Sequence, residues 1–230
     1  MELTKTHIAQ LYQFTRDHYV EWYDLQTELV DHLANDIEEI WQEKPTLSFE
    51  NARDISFKKF GIFGFGEIVE QKQLALHKQY SKAIFKEFLQ FFKLPKIILT
   101  IFLCTATFCL FSLFNHGIYI YTLIGLTVFV LPAYTMYVQY KKVKKRNLKL
   151  NKKWLFDGIL FQYGFLPFCF ISPFGTSIDL FYKASFTQNQ LIFLSITFFL
   201  FNLVFYISEK VVKPNMQKKM VEMFPEYELG

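Results

Sequence analysis

The chain has 230 residues, 52% of them hydrophobic and 20% charged, with a formal net charge of +4. Those averages would suit a soluble domain, but they conceal a charged front and an apolar back. Residues 1–96 hold 15 of the 21 acids and 12 of the 25 bases, whereas residues 97–230 hold 13 bases and 6 acids.

The front reads as helical throughout. Ile8, Leu11, Tyr12 and Phe14 recur at helical spacing, with Thr4 or Thr6 as the cap. A stronger helix over about 19–43 carries the apolar stripe Trp22, Leu25, Leu29, Leu33, Ile37 and Ile40, in steps of three and four that define one buried face. Nine acids and no Lys or Arg lie between residues 17 and 43. Pro45 stops this helix, Ser48 is an N-cap for a third over 49–60, and Gly61 is its C′ terminator. The third helix offers Ala52, Ile55 and Phe60 to meet Leu29 and Leu33. Gly64 and Gly66 break the chain before a fourth helix from about residue 67. The run Gly61-x-x-Gly64-x-Gly66 is a helix corner and not a phosphate loop. No strand precedes it and no Gly-Lys-Ser/Thr closes it, so the chain is not an ATPase.

In residues 81–96, Phe85, Phe88, Leu89, Phe91, Phe92 and Leu94 alternate with Lys82, Lys86, Lys93 and Lys96. Such a segment suits a juxtamembrane helix in the headgroup layer. It equally fits a continuous extension of the helix that follows, and the pattern leaves both open.

Residues 97–140 contain no Asp, Glu, Lys or Arg and are broken only by Asn115-His116-Gly117; residues 158–178 and 184–208 are also uncharged. A helix of about 18 or more apolar residues crosses a hydrocarbon core roughly 30 Å thick. The pattern predicts four spans, near 97–114, 118–138, 154–172 and 190–207, the first pair turning at 115–117. Pro132, Pro167 and Pro173 would kink or stop these helices. Cys104, Cys109 and Cys169 all lie in the spans, which argues against a disulfide framework or thiolate metal site; they read as small buried apolar residues. Residues 141–153 carry eight bases and no acid. Between two spans, that cluster reads as a cytoplasmic loop obeying the positive-inside rule and not as a nucleic-acid patch. Both termini are then cytoplasmic, and the translocated segments hold a single base, Lys183. No separate signal peptide is visible in residues 1–20, so the first span would serve as the insertion signal.

Four elements recur in order: Glu28-Leu29-Val30-Asp31-His32-Leu33, Ile37-Glu38, Ser48-Phe49-Glu50-Asn51-Ala52-Arg53, and Phe60-Gly61. On these residues the region 18–80 resembles permease-prefix and HAAS-type helical domains, which sit at the cytoplasmic N-termini of bacterial membrane proteins. Lys44-Pro45-Thr46 replaces the usual glycine-containing turn, and Phe63 to Gly66 extends the corner. The resemblance implies a bacterial cytoplasmic membrane protein whose front docks a protein partner. The rest looks like uncharacterised four-span bacterial membrane proteins. The expected fold is all-α: a small cytoplasmic helical domain (1–80), a juxtamembrane helix (81–96), a four-helix transmembrane domain (97–214) and a cytoplasmic tail (215–230).

Among candidate interaction or switch residues, His32 lies between Glu28 and Asp36, four residues to either side. The bland reading is a hydrogen-bonded packing histidine; the sharper ones are a pH switch or a metal ligand. Asp157, one turn inside the third span, reads as an anchor or cap beside Lys152 and Lys153. Gln162 and Asn202 would stitch helices together. No catalytic, cofactor-binding or metal-binding constellation is present, which argues against an enzyme. The expected function is a regulatory or adaptor protein; the alternative is a small transporter or permease subunit, although central charges are few and no internal repeat is visible. Exposed aromatic faces would permit a homo-oligomer.

Overall fold

A computed structural model describes residues 2–114, 116–170, 175 and 186–228. The described residues are helical, with no strand. The chain divides into two units, Met1–His77 with Leu150–Ile159, and Lys78–Lys149 with Leu160–Gly230.

In the first unit, Thr4 Oγ1 accepts from the His7 N–H at 3.3 Å and opens α1 (Lys5–Asp17). Tyr19, in the left-handed region at φ 63°, turns the chain into α2 (Tyr23–Glu43), four residues later than the stripe predicts. Ser48 caps α3 (Phe49–Lys58), its Oγ accepting from Asn51 N–H at 3.3 Å. At the corner that follows, Gly61 (φ 76°) and Gly64 (φ 53°) supply conformations that L side chains avoid, and a Cβ on Gly64 would come within 3.0 Å of Phe57 Cζ. The fourth helix, α4 (Gly66–Gln90), starts within this unit.

The stripe of α2 is buried as expected at Leu25, Leu29, Leu33 and Ile37, joined by Leu11, Val30, Trp41, Phe49 and Ala52. Ile55 is a correction: it is 39% exposed, because α3 turns Phe49, Ala52 and Ser56 inward. Phe60 is partly buried against the core. Each fully buried leucine contributes roughly 1.5–3 kcal/mol before the entropy of ordering the chain is set against it. Leu155 joins the same core from more than a hundred residues away.

The second unit begins within α4, which absorbs residues 81–90; α5 (Lys96–Leu113) then starts as a separate helix. The basic aromatic segment is therefore not an extension of α5. Gly117–Leu150 is one helical run of 34 residues, made of α6 (Gly117–Gly125), a π turn (Leu126–Val130) and α7 (Leu131–Leu150). The basic cluster expected in a loop is thus helical as far as Leu150. Nothing between Ala133 and Leu150 breaks a helix, and Lys and Arg are good helix formers.

After α8 (Leu155–Phe165) and a short 3₁₀ turn (Leu166–Phe170), α9 (Gln188–Tyr206), a π turn (Ile207–Val212) and α10 (Lys213–Met223) form a second long run. Each π turn ends two residues before a proline, Pro132 or Pro214. Proline has no N–H and its ring crowds the carbonyl four residues back, so a local widening accommodates it without ending the helix. Phe111 of α5 packs on Phe198 of α9 with ring centroids 5.3 Å apart, beside buried Ile120 and Leu191.

Three helices among the described residues are long and apolar enough to cross a membrane: Lys96–Leu113, Gly117–Leu150 and Gln188–Met223. Exposed Ile98, Leu99, Ile101, Phe102, Phe193 and Ile196 on them are consistent with a membrane protein. The third expected span corresponds to a shorter apolar helix, Leu155–Cys169. Asn115 of the first turn, the end of that third span, Pro173 and Lys183 lie outside the described residues.

Candidate functional site

The start of α2 and residues 152–158 of the first unit meet in a dense polar and aromatic seam. The Tyr23 N–H donates to the Lys153 carbonyl at 2.7 Å, and Trp22 and Lys153 form an isolated parallel bridge. Lys153 Nζ pairs with Glu21 Oε2 at 2.8 Å; both side chains are largely exposed, so this pair contributes little. The Tyr23 ring carries more. Lys152 Nζ lies 3.6 Å from its centroid, Trp154 meets it edge-on at 5.2 Å, and Tyr12 stacks at 6.0 Å. Trp154 is 1% exposed.

Asp24 is the chemical centre of the seam. Its Oδ1 accepts from the Leu155 N–H at 3.1 Å, so a side chain from α2 caps the N-terminus of α8. The first four N–H groups of a helix lack partners within it, and a carboxylate there also meets the positive end of the helix dipole. Burial pushes the Asp24 carboxyl above its ordinary pKa, and the backbone N–H groups of Leu155, Asp24, Leu25 and Phe156 offset part of that rise. Close packing also involves Gly158, where a Cβ would stand 3.6 Å from Trp22 Cη2.

Of the residues singled out from sequence, Asp157 is 4% exposed in the first turn of α8. Of the lysines beside it in sequence, Lys153 pairs with Glu21 and Lys152 Nζ lies over the Tyr23 ring. The spacing of Glu28, His32 and Asp36 does not produce a bonded triad. Glu28 Oε1 pairs with Lys72 Nζ of α4 at 2.5 Å; Asp36 Oδ2 accepts from Ser56 Oγ at 3.0 Å and pairs with Lys59 Nζ at 3.1 Å. His32 is exposed and shares with Asp36, Lys59, Phe60 and Ile68 a shallow cavity of about 260 Å³. Among the described residues no group of three or more His, Cys, Asp or Glu is arranged to hold a metal ion. Sequence reasoning missed Asp24 and Trp154. Asp24 follows Trp22 and Tyr23 as a first-turn acid, a pattern that fits capping of α2 itself as readily as of a distant helix.

Glu28→Gln is expected to change stability by no more than about 1 kcal/mol, as for an exposed ion pair, and His32→Gln by less than about 0.5 kcal/mol. Thermal melts of the full chain followed by tryptophan fluorescence check both. A loss of several kcal/mol from either would show that these groups do more than decorate a solvated face.

Comparison with protein families, with curated proteins and with solved structures finds no match for this chain.

Proposed function

We propose that the chain is a non-catalytic, four-span protein of the bacterial cytoplasmic membrane with both termini cytoplasmic. Its N-terminal helical unit acts as a regulatory or adaptor domain that docks a protein partner. The observation that carries this reading is the seam, because the unit that would meet the partner also holds the start of α8 through Asp24, Tyr23 and Trp154. A partner that shifts α2 would thereby load or release the cap on α8. The docking face would be the outer side of α2, where Asp31, Glu39 and Glu43 are exposed at helical spacing with no Lys or Arg on the helix. Its acidity fits a partner surface rich in Lys and Arg. The resemblance of residues 18–80 to permease-prefix and HAAS-type domains supports the same role.

Crosslinking in native membranes, followed by pull-down of the tagged full chain, tests the proposal against the variant Asp31→Lys/Glu39→Lys/Glu43→Lys. A partner present with the wild type and lost with the variant is expected. Recovery of the chain with only itself in both samples would sink the adaptor reading.

A further inference from the structure

In the second unit, α4, α8 and α9 line a cleft of about 570 Å³, inside the roughly 300–1,000 Å³ range of small-ligand sites. Its chemistry is graded from one end to the other. Ser81 of α4, Tyr163 of α8, Ser208 and Glu209 gather at one end; Ile84, Phe88, Pro167, Phe201 and Val204 line the remainder. All three walls agree on the direction. Polar residues precede apolar ones along α4 and α8, whereas along α9 the apolar residues come first and Ser208 and Glu209 follow. The polar end is firmly built. Ser81 Oγ and Tyr163 OH are hydrogen-bonded, and Tyr80 OH meets Ser208 Oγ at 3.0 Å on the π turn that follows α9. Glu209 is neutralised by Lys213 at 2.8 Å, with both side chains only 12% exposed.

Two further observations select the occupant. The α9 wall belongs to the candidate membrane helix Gln188–Met223, and charge first appears on that helix at Glu209 and Lys210. The apolar length of the cleft therefore faces hydrocarbon while its polar end reaches the level where headgroups begin. The exposed bases Lys78 and Lys82 stand within three residues of Ser81 along α4, exposed Lys210 directly follows Glu209, and the one acid lining that end is already paired. From Ser81 to Phe88 the wall rises roughly 10 Å, enough for a substantial part of an acyl chain.

We infer that this cleft is a specific site for an anionic phospholipid, with one acyl chain lying along Ile84, Phe88, Phe201 and Val204 and the phosphate beside Ser81 and Lys82. The inference requires α9 to lie in a bilayer, but not that the N-terminal unit bind a partner.

The test uses the full chain in phosphatidylcholine vesicles containing a minor fraction of phosphatidylglycerol that carries a diazirine on one acyl chain. Crosslinked peptides are mapped by mass spectrometry. Adducts are expected to concentrate on 81–88, 163–167 and 201–205, and to be competed by unlabelled phosphatidylglycerol but not by added phosphatidylcholine. Val204→Trp, which fills the cleft with apolar bulk, should lower those adducts about tenfold, and Lys78→Gln/Lys82→Gln should abolish the preference for the anionic lipid. Labelling of α5 reports insertion in the same samples, so failure of the membrane reading is distinguishable from failure of the site. Adducts spread evenly over α5 and α9, or equal competition by phosphatidylcholine, would overturn the proposal. If Val204→Trp does not fold, the competition on the wild-type chain decides alone.

Discussion

Trp154→Ala is expected to destabilise the first unit by about 3–5 kcal/mol, the usual cost of truncating a buried aromatic to Ala. Trp154 is fully buried, and its ring meets Tyr23 edge-on while the adjoining Leu155 sits in the core with Leu29, Leu33 and Ile37. Removal would leave a void where the seam is and free the start of α8 from α2. Hydrogen exchange on the full chain measures this directly. Faster exchange is expected at residues 23–43 and 152–159, with the far ends of α5 and α9 unchanged. Trp154→Phe, which keeps an aromatic edge near Tyr23, should lose less. Unaltered protection in α2 would mean that residues 150–159 do not contribute to that unit's stability.

Asp24→Ala is the second large effect, and comparison with Asp24→Asn separates its causes. Alanine removes the acceptor that caps the Leu155 N–H, and loss of such a cap costs about 0.5–2 kcal/mol. Asparagine keeps an acceptor without the charge. Because burial raises the folded pKa of Asp24, its titration favours the folded state most below the unfolded carboxylate pKa of about 3.9, and that contribution is lost as pH rises through the raised folded value. Above it, the unit bears the whole cost of burying the charge. At neutral pH Asp24→Asn is therefore expected to be at least as stable as the wild type and clearly more stable than Asp24→Ala. Wild type should gain on Asp24→Asn as the pH falls. Melting temperatures of the three proteins across the acid range check this; a pH-independent gap between wild type and Asp24→Asn would refute the assigned cause.

Local sequence carried the interior of the first unit well. The steps Leu25, Leu29, Leu33 and Ile37 specify a buried face because side chains three and four apart share one side of a helix. Ser48 and Gly61 mark helix ends because their chemistry acts on the adjoining turn. The same locality limits what can be read. Ile55 fits an inward position by spacing, but α3 buries Phe49, Ala52 and Ser56 and leaves Ile55 39% exposed. Glu28 and Asp36 have the right spacing to flank His32, yet Lys72, Ser56 and Lys59 arrive from other helices and take both carboxylates. A charged cluster between apolar runs reads as a loop, whereas its bases as far as Lys149 continue α7 because nothing there ends a helix.

The sequence by itself determined an all-helical chain with apolar helices long enough to cross a membrane and the buried stripe of α2, since these depend on composition and on periods of a few residues. Only the tertiary structure decided that Asp24 caps a helix 131 positions away and that Trp154 belongs with Tyr23. It alone gathered Ser81, Tyr163 and Ser208 at one end of an apolar cleft. Those pairings arise from how helices pack, and a capping acid or a buried aromatic carries no mark of its partner in its own neighbourhood of the chain.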